Sequence, residues 1–187
     1  MKRYISLLGF AVFLFSSVPA FAEDRVPRPE IERFAHAFGF VERFQARATA
    51  YLKVAKRPPA SPEAEKTYLF MERIAAARSE ELLPAFIDAL GEELSPTEAT
   101  EMAEAFETPI GHKIINMSAE SQRLYGGDVI AARDANPLSS EEHKQFRELE
   151  AMPGWKRYVQ WARGSKSFST RFMQALLTLP SFRTFAE

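Results

Sequence analysis

Apolar residues recur at intervals of three and four along most of the chain, which is the spacing of an amphipathic α-helix. The first such stretch runs from about Glu30 to Val54. Gly39 lies inside it as a weak point, because glycine is a poor helix former. The stretch therefore predicts one long helix, with an apolar face formed by Ile31, Phe34, Ala35, Phe38 and Val41.

Serine marks the expected starts of the later helices. Ser61 precedes Pro62, which is a cap followed by proline at the first helical position. Ser79 is read as the cap of a short apolar helix that ends at Gly91. The Pro-rich stretch 57–62 is predicted to be a linker between the first helix and the helix that starts after Ser61.

Two further starts carry a complete capping box. Ser95 is followed three residues later by Glu98, and Ser139 by Glu142. In such a box the serine and the glutamate satisfy each other's backbone N–H groups. Each of the two helices then stops at a proline, and new apolar periodicity follows it. The whole pattern predicts an all-α fold, a multi-helix bundle of six to eight helices, with no strand.

The two capped stretches resemble each other. Leu94 and Ser95 are followed by Pro109, a glycine and a lysine, and Leu138 and Ser139 are followed by the same residue types in the same order. Both describe a capped helix, a proline break and a new helix. Duplication would explain the likeness, but convergence of ordinary helix signals explains it more simply.

The first 22 residues have the parts of a signal peptide. Lys2 and Arg3 precede an apolar run from Ile5 to Phe15, and the segment closes on Ala20-Phe21-Ala22. The apolar run is much shorter than the roughly 20 residues needed to span a bilayer. We therefore expect cleavage after Ala22, a single helical domain over residues 23–187, no transmembrane segment in that domain, and a periplasmic location.

Composition narrows the function classes. The chain contains no cysteine, which excludes thiol catalysis, disulfides and cysteine-ligated zinc. Its formal net charge is −1, and loss of the basic leader makes the remainder slightly more acidic. A near-neutral balance argues against nucleic acid as a partner.

The segment LSPTEATEMAEAFETPIGHK, from Leu94 to Lys113, resembles a bacterial exported family known as domain of unknown function 2059. Its members have an acidic capped helix, a phenylalanine and a Ser-Pro-x-Gly-x-Lys-like stretch. Thr108 stands here where serine is commoner, and His112 where glutamine is commoner. A looser likeness gives a family-like core of about 67–125. The resemblance implies export and a helical fold, and it carries no activity. Its motif supplies the candidate binding residues Phe106, Pro109, Gly111, His112 and Lys113.

The search for catalytic groups yields little. Glu32 and His36 lie one helical turn apart, but two ligands do not make a metal site, and a solvent-exposed pair explains them. His143 follows two glutamates in the first turn of a helix, where exposure is again the simpler explanation. No Gly-x-Ser-x-Gly elbow or phosphate-binding loop occurs. We therefore assign no catalytic residue, no metal site and no cofactor.

Phenylalanine and tryptophan are plentiful, and most of them should form the core. A surplus would line an apolar pocket or a docking patch. The sequence thus favours a non-enzymatic envelope module that binds a protein partner or a hydrophobic ligand. The alternative is a hydrolase-like enzyme whose site joins His112 to acidic residues of separate helices. Neither the partner nor the oligomeric state follows from the sequence.

Overall fold

The computed structural model describes residues 28–55, 61–125, 137–164 and 167–186. Within these ranges the regular structure is entirely helical, which confirms the expected all-α class. The predicted leader 1–22 and most of the predicted linker 57–62 lie outside the described residues. The helices are α1 Pro29–Phe38, α2 Phe40–Val54, α3 Pro62–Ala76, α4 Ser79–Gly91, α5 Pro96–Phe106, α6 Pro109–Tyr125, α7 Ser140–Ala151, α8 Pro153–Gly164 and α9 Phe168–Thr178, followed by a 3-10 turn at Arg183–Phe185.

The nine α-helices in the described ranges exceed the expected six to eight because the first predicted helix is two helices. Gly39 takes a left-handed backbone conformation, with φ of 64°. Its N–H bonds back to the carbonyls of Ala35 and His36, which closes α1. A left-handed residue ends a helix because it cannot continue the right-handed ladder, and glycine adopts it without a Cβ clash. The chain therefore turns at Gly39, and α2 begins at Phe40.

The expected capped starts at Ser61, Ser95 and Ser139 are all present. The Ser61 hydroxyl accepts a bond from the Ala64 N–H, and both capping boxes are complete in each direction. The assignment of Ser79 as a cap is wrong. Arg78 occupies that position, without a side-chain cap bond, and pairs with Glu81 across the first turn at 3.1 Å.

The main core is aromatic and lies around α1, α4 and α5. Phe34 is fully buried, and its ring meets that of Phe40 edge to face with centroids 5.6 Å apart. Phe86 stacks on Phe172 with centroids 4.1 Å apart, which joins α4 to α9. Such offset and edge-to-face pairs add to the free energy of burial. The aromatic residues named as core candidates are therefore mostly used to hold the helices together.

A second, smaller core lies where α5 and α6 meet α7 and α8. Its buried members are Ala105, Ile110 and Leu149. The partly buried side chains of Phe146 and Trp155 pack against them, edge to face with centroids 5.6 Å apart. Two helical hairpins, α5–α6 and α7–α8, thus share one apolar seam. No helix in the described ranges combines the length and the apolarity that crossing a membrane requires.

Candidate functional site

The family-like motif forms the joint between α5 and α6. Phe106 is the last residue of α5 and is buried in the main core, whereas Pro109 opens α6 and is exposed. Gly111 is buried against the end of α5. A Cβ at Gly111 would lie 2.5 Å from the Ala105 carbonyl oxygen and 2.9 Å from the Phe106 Cα. The glycine is therefore needed for the close packing of α6 against the end of α5.

The Thr108 side chain stabilises this joint through two hydrogen bonds. Its hydroxyl donates to the Ala105 carbonyl at 2.8 Å and accepts from the Gly111 N–H at 3.1 Å. One hydroxyl thus satisfies both the end of α5 and the start of α6. Serine carries the same hydroxyl, so either residue type could make these two bonds.

His112 and Lys113 point to different surroundings. His112 is exposed, and the nearby Glu107 has its pKa lowered chiefly by the hydrogen bond from Arg33. Arg33 already holds that carboxylate through two contacts, of 2.8 and 2.5 Å. Lys113 instead reaches α7, where its Nζ lies 2.6 Å from Glu142 Oε1. The motif residues therefore share a joint and not a single binding cavity.

The other histidines show no metal-binding arrangement. His36 lies 3.8 Å from Glu32, and both side chains are at least half exposed. His143 is exposed at the start of α7. Over the described ranges no three His, Asp or Glu residues come together in a way that would hold a metal ion.

An aromatic crevice opens beside the motif. It has a volume of about 70 Å³ and lies between α1, α2, α5, α6 and α8. Of the motif residues it contains only Phe106, which meets Tyr158 edge to face with centroids 4.9 Å apart. Seven side chains line it, those of Phe38, Arg43, Phe106, Ile114, Ile115, Trp155 and Tyr158.

Arg43 brings a positive charge into this apolar wall. Its guanidinium carbon lies 4.3 Å from the centre of the Phe38 ring, within the range of a cation–π contact. Burial lowers the pKa of the guanidinium below its usual range, and its interactions with Tyr158, which include a side-chain hydrogen bond, act in the opposite direction. Burial likewise raises the pKa of Tyr158. The crevice thus presents a partly desolvated cation and a phenol between aromatic rings.

Arg43 does not stand out in the sequence, because the residue types typical of catalytic and metal sites are histidine, serine and acids. A signal was present, since Arg43 lies three residues after Phe40 and next to Phe44, at the border of the apolar face of α2. A basic residue at the border of an apolar stripe is expected to be partly buried. Which aromatic rings would surround it depends on α8, far along the chain.

Comparison of the chain with protein-family models, with curated proteins and with solved structures finds no match in any of the three. The likeness to the exported family therefore stays a prediction that rests on the motif residues.

Proposed function

We propose that this protein is an exported envelope protein, a non-enzymatic helical module that binds a protein partner by seating one carboxylate of that partner in the Arg43 crevice. The leader-like segment 1–22 supports export, and the motif around Phe106 resembles that of an exported family. The observation that carries the binding proposal is the Arg43 guanidinium, partly buried against Phe38 and Tyr158.

The volume of the crevice favours a protein side chain or chain terminus over a free hydrophobic ligand. Ligand pockets commonly enclose about 300–1,000 Å³, whereas this crevice has about 70 Å³. A space of that size accepts a carboxylate group together with the one or two carbon atoms attached to it. The rest of the partner would then lie on the surrounding surface.

The charge of the crevice favours a carboxylate. A guanidinium presents several N–H donors in one plane and pairs with a carboxylate through two parallel hydrogen bonds. The aromatic walls partly desolvate the guanidinium and so favour that pairing, because electrostatic attraction grows as the local dielectric falls. Tyr158 adds a phenol to the same wall.

Acetate and propionate are the probes that test this proposal, with methylammonium as the cationic control. Trp155 lines the crevice, so its fluorescence should change as carboxylate binds. Arg43→Met keeps an apolar stem and should abolish the response. Arg47→Met removes an exposed arginine of the same helix and should leave the response intact.

A saturable response that survives in Arg43→Met would contradict the proposal, and so would the absence of any carboxylate response in the folded protein. A peptide series that ends in free carboxylate or in amide extends the test to a protein-like ligand. The free carboxylate should bind and the amide should not.

A further inference from the structure

The likeness between the two capped stretches extends further than their shared residue types. When Leu94 is aligned on Leu138 without a gap, the capping serines coincide, and so do Glu98 with Glu142, Glu104 with Glu148, and Pro109 with Pro153. Lys113 then aligns with Arg157, so that a base occupies the same place in both. The glycines do not align, because Gly154 falls opposite Ile110.

The two capping boxes divide their carboxylate oxygens in the same way. Glu98 Oε2 accepts from the Ser95 N–H at 2.9 Å, and Glu142 Oε2 accepts from the Ser139 N–H at 2.8 Å. In both boxes Oε2 therefore closes the cap. The other oxygen, Oε1, is left for a second partner in each case.

That second partner comes from the opposite stretch in both cases. Lys113 Nζ lies 2.6 Å from Glu142 Oε1, and Arg157 Nη1 lies 3.2 Å from Glu98 Oε1. In a two-fold interface, a contact from one position of the first copy to a second position of the other copy is repeated with the copies exchanged. The two ion pairs have this reciprocal pattern. Convergence of helix signals explains a repeated cap, but it does not explain a reciprocal exchange of partners.

The apolar contacts follow the same plan. Ala105 and Leu149 occupy aligned positions and are both buried in the seam between the two hairpins. Ile114 and Tyr158 are also aligned, and both line the crevice. Ile114 directly follows Lys113 in the chain, and Tyr158 directly follows Arg157. One aligned pair therefore contributes to the crevice, and Phe38 of α1 and Arg43 of α2 complete its wall.

The departures from symmetry also have a physical reason. A Cβ at Gly154 would lie 1.7 Å from the Glu101 carbonyl oxygen, so only glycine allows α8 to press this closely on α5. At the aligned position Ile110 instead fills the seam between the two hairpins with a buried side chain. Trp155 aligns with Gly111, so one stretch supplies a crevice wall where the other supplies close packing.

We infer that residues 94–117 and 138–161 are two copies of one capped helix–proline–helix unit that face each other in a two-fold manner, and that Lys113 and Arg157 are positioning residues for the crevice to which both copies contribute. The positioning role rests on the proposed binding function. The paired arrangement of the units does not.

Double-mutant cycles test the reciprocal pairs in the full chain. Glu98→Gln and Glu142→Gln remove charge while keeping the capping box, which accepts glutamine. Lys113→Met and Arg157→Met remove the bases. Thermal melting should show coupling for the cross-unit pairs, 113 with 142 and 157 with 98. The within-unit pairs, 113 with 98 and 157 with 142, should be additive and serve as matched controls.

Spin labels test the arrangement of the units independently, and the absence of cysteine allows them to be placed without background. Glu104, His112, Glu148 and Lys156 are all exposed. In a two-fold arrangement position 104 corresponds to 148 and position 156 to 112. The distance between labels at 104 and 156 should therefore match the distance between labels at 148 and 112. The two distance distributions should overlap, with the first somewhat shorter because of Gly154. Distributions that do not overlap, or coupling confined to within-unit pairs, would overturn the paired arrangement.

Carboxylate titration tests the positioning role. Lys113→Met and Arg157→Met should weaken acetate binding by up to about fivefold, which is the range of one exposed ion pair, while the circular dichroism spectrum is unchanged. The conservative variants Lys113→Arg and Arg157→Lys keep a positive charge and should bind acetate as the unmutated protein does. Unchanged binding in both Met variants would overturn the positioning role. Failure of the unmutated protein to bind acetate would instead overturn the proposed function, and the cycles and label distances would still judge the paired arrangement.

Discussion

Helices α5 and α7 begin with the same capping box and end at the same proline break, yet α5 lies in the centre of the protein and α7 at its edge. Over their full lengths α5 buries five side chains, whereas α7 buries only Leu149. The helix α5 carries several alanines, so α1 and α8 can approach it from two sides. The corresponding faces of α7 are occupied by charged and polar residues. Capping residues thus fix where a helix starts, and the size and polarity of its faces decide how deeply it is buried.

The largest expected difference between the two helices concerns their phenylalanines. Phe106→Ala, at a fully buried end of α5, should lower the free energy of unfolding by about 3–5 kcal/mol, because it removes contacts and leaves a cavity. Phe146→Ala, at a partly buried position of α7, should cost less than about half of that. Urea unfolding of both variants measures the comparison. Equal losses would show that α7 is as central as α5.

The close packing of α8 on the central helix α5 depends on Gly154. Gly154→Ala should cost about 3 kcal/mol, at the upper end for overpacking, because the new Cβ would meet the Glu101 backbone, which cannot rotate away. Gly164→Ala is the matched control in the same helix, since nothing lies within 4 Å of its Cβ position. It should stay within about 0.5 kcal/mol of the unmutated protein. If Gly154→Ala is also neutral, the close contact between α5 and α8 is not present in solution.

Removal of each cap separates local from global stability. Ser95→Ala and Ser139→Ala each lose a cap worth about 1 kcal/mol. Because α5 is central, loss of Ser95 should lower the stability of the whole protein. Loss of Ser139 should instead raise amide hydrogen exchange mainly within α7. Exchange that spreads equally through all helices in Ser139→Ala would contradict the peripheral position of α7.

The smallest expected effect is a pH dependence at the edge of α7. The hydrogen bond from Lys113, followed by the one from the Ser139 backbone, lowers the pKa of Glu142 from 4.5 to about 2. A lowered pKa in the folded state stabilises the fold above the unfolded value, and this contribution is lost as the pH falls from about 4.5 towards about 2. Melting temperature between pH 5 and pH 2 should therefore fall less steeply in Glu142→Gln. An identical slope in both proteins would exclude Glu142 as a contributor.

Part of the candidate site was within reach of the sequence. Gly111 belongs to the motif named from the sequence, and a Cβ at this position would meet the backbone at the end of α5. Phe106 was named as a site residue and lines the crevice. The cation of the crevice, Arg43, was not found, because only the packing of α8 reveals that Tyr158 lies beside it. Spacing within one helix shows a face but does not show which distant residues complete it.

The sequence by itself determined the helical class and the starts at Ser61, Ser95 and Ser139, because periodicity and capping act over a few neighbouring residues. It did not determine that Gly39 divides the first helix, since glycine tolerates a helix interior as well as a left-handed turn. Tertiary structure decided that choice through the packing of Phe40 against Phe34. It also decided that Glu98 and Glu142 exchange partners across two hairpins. Contacts between residues far apart in the chain depend on how whole faces fit together, and no local pattern encodes that fit.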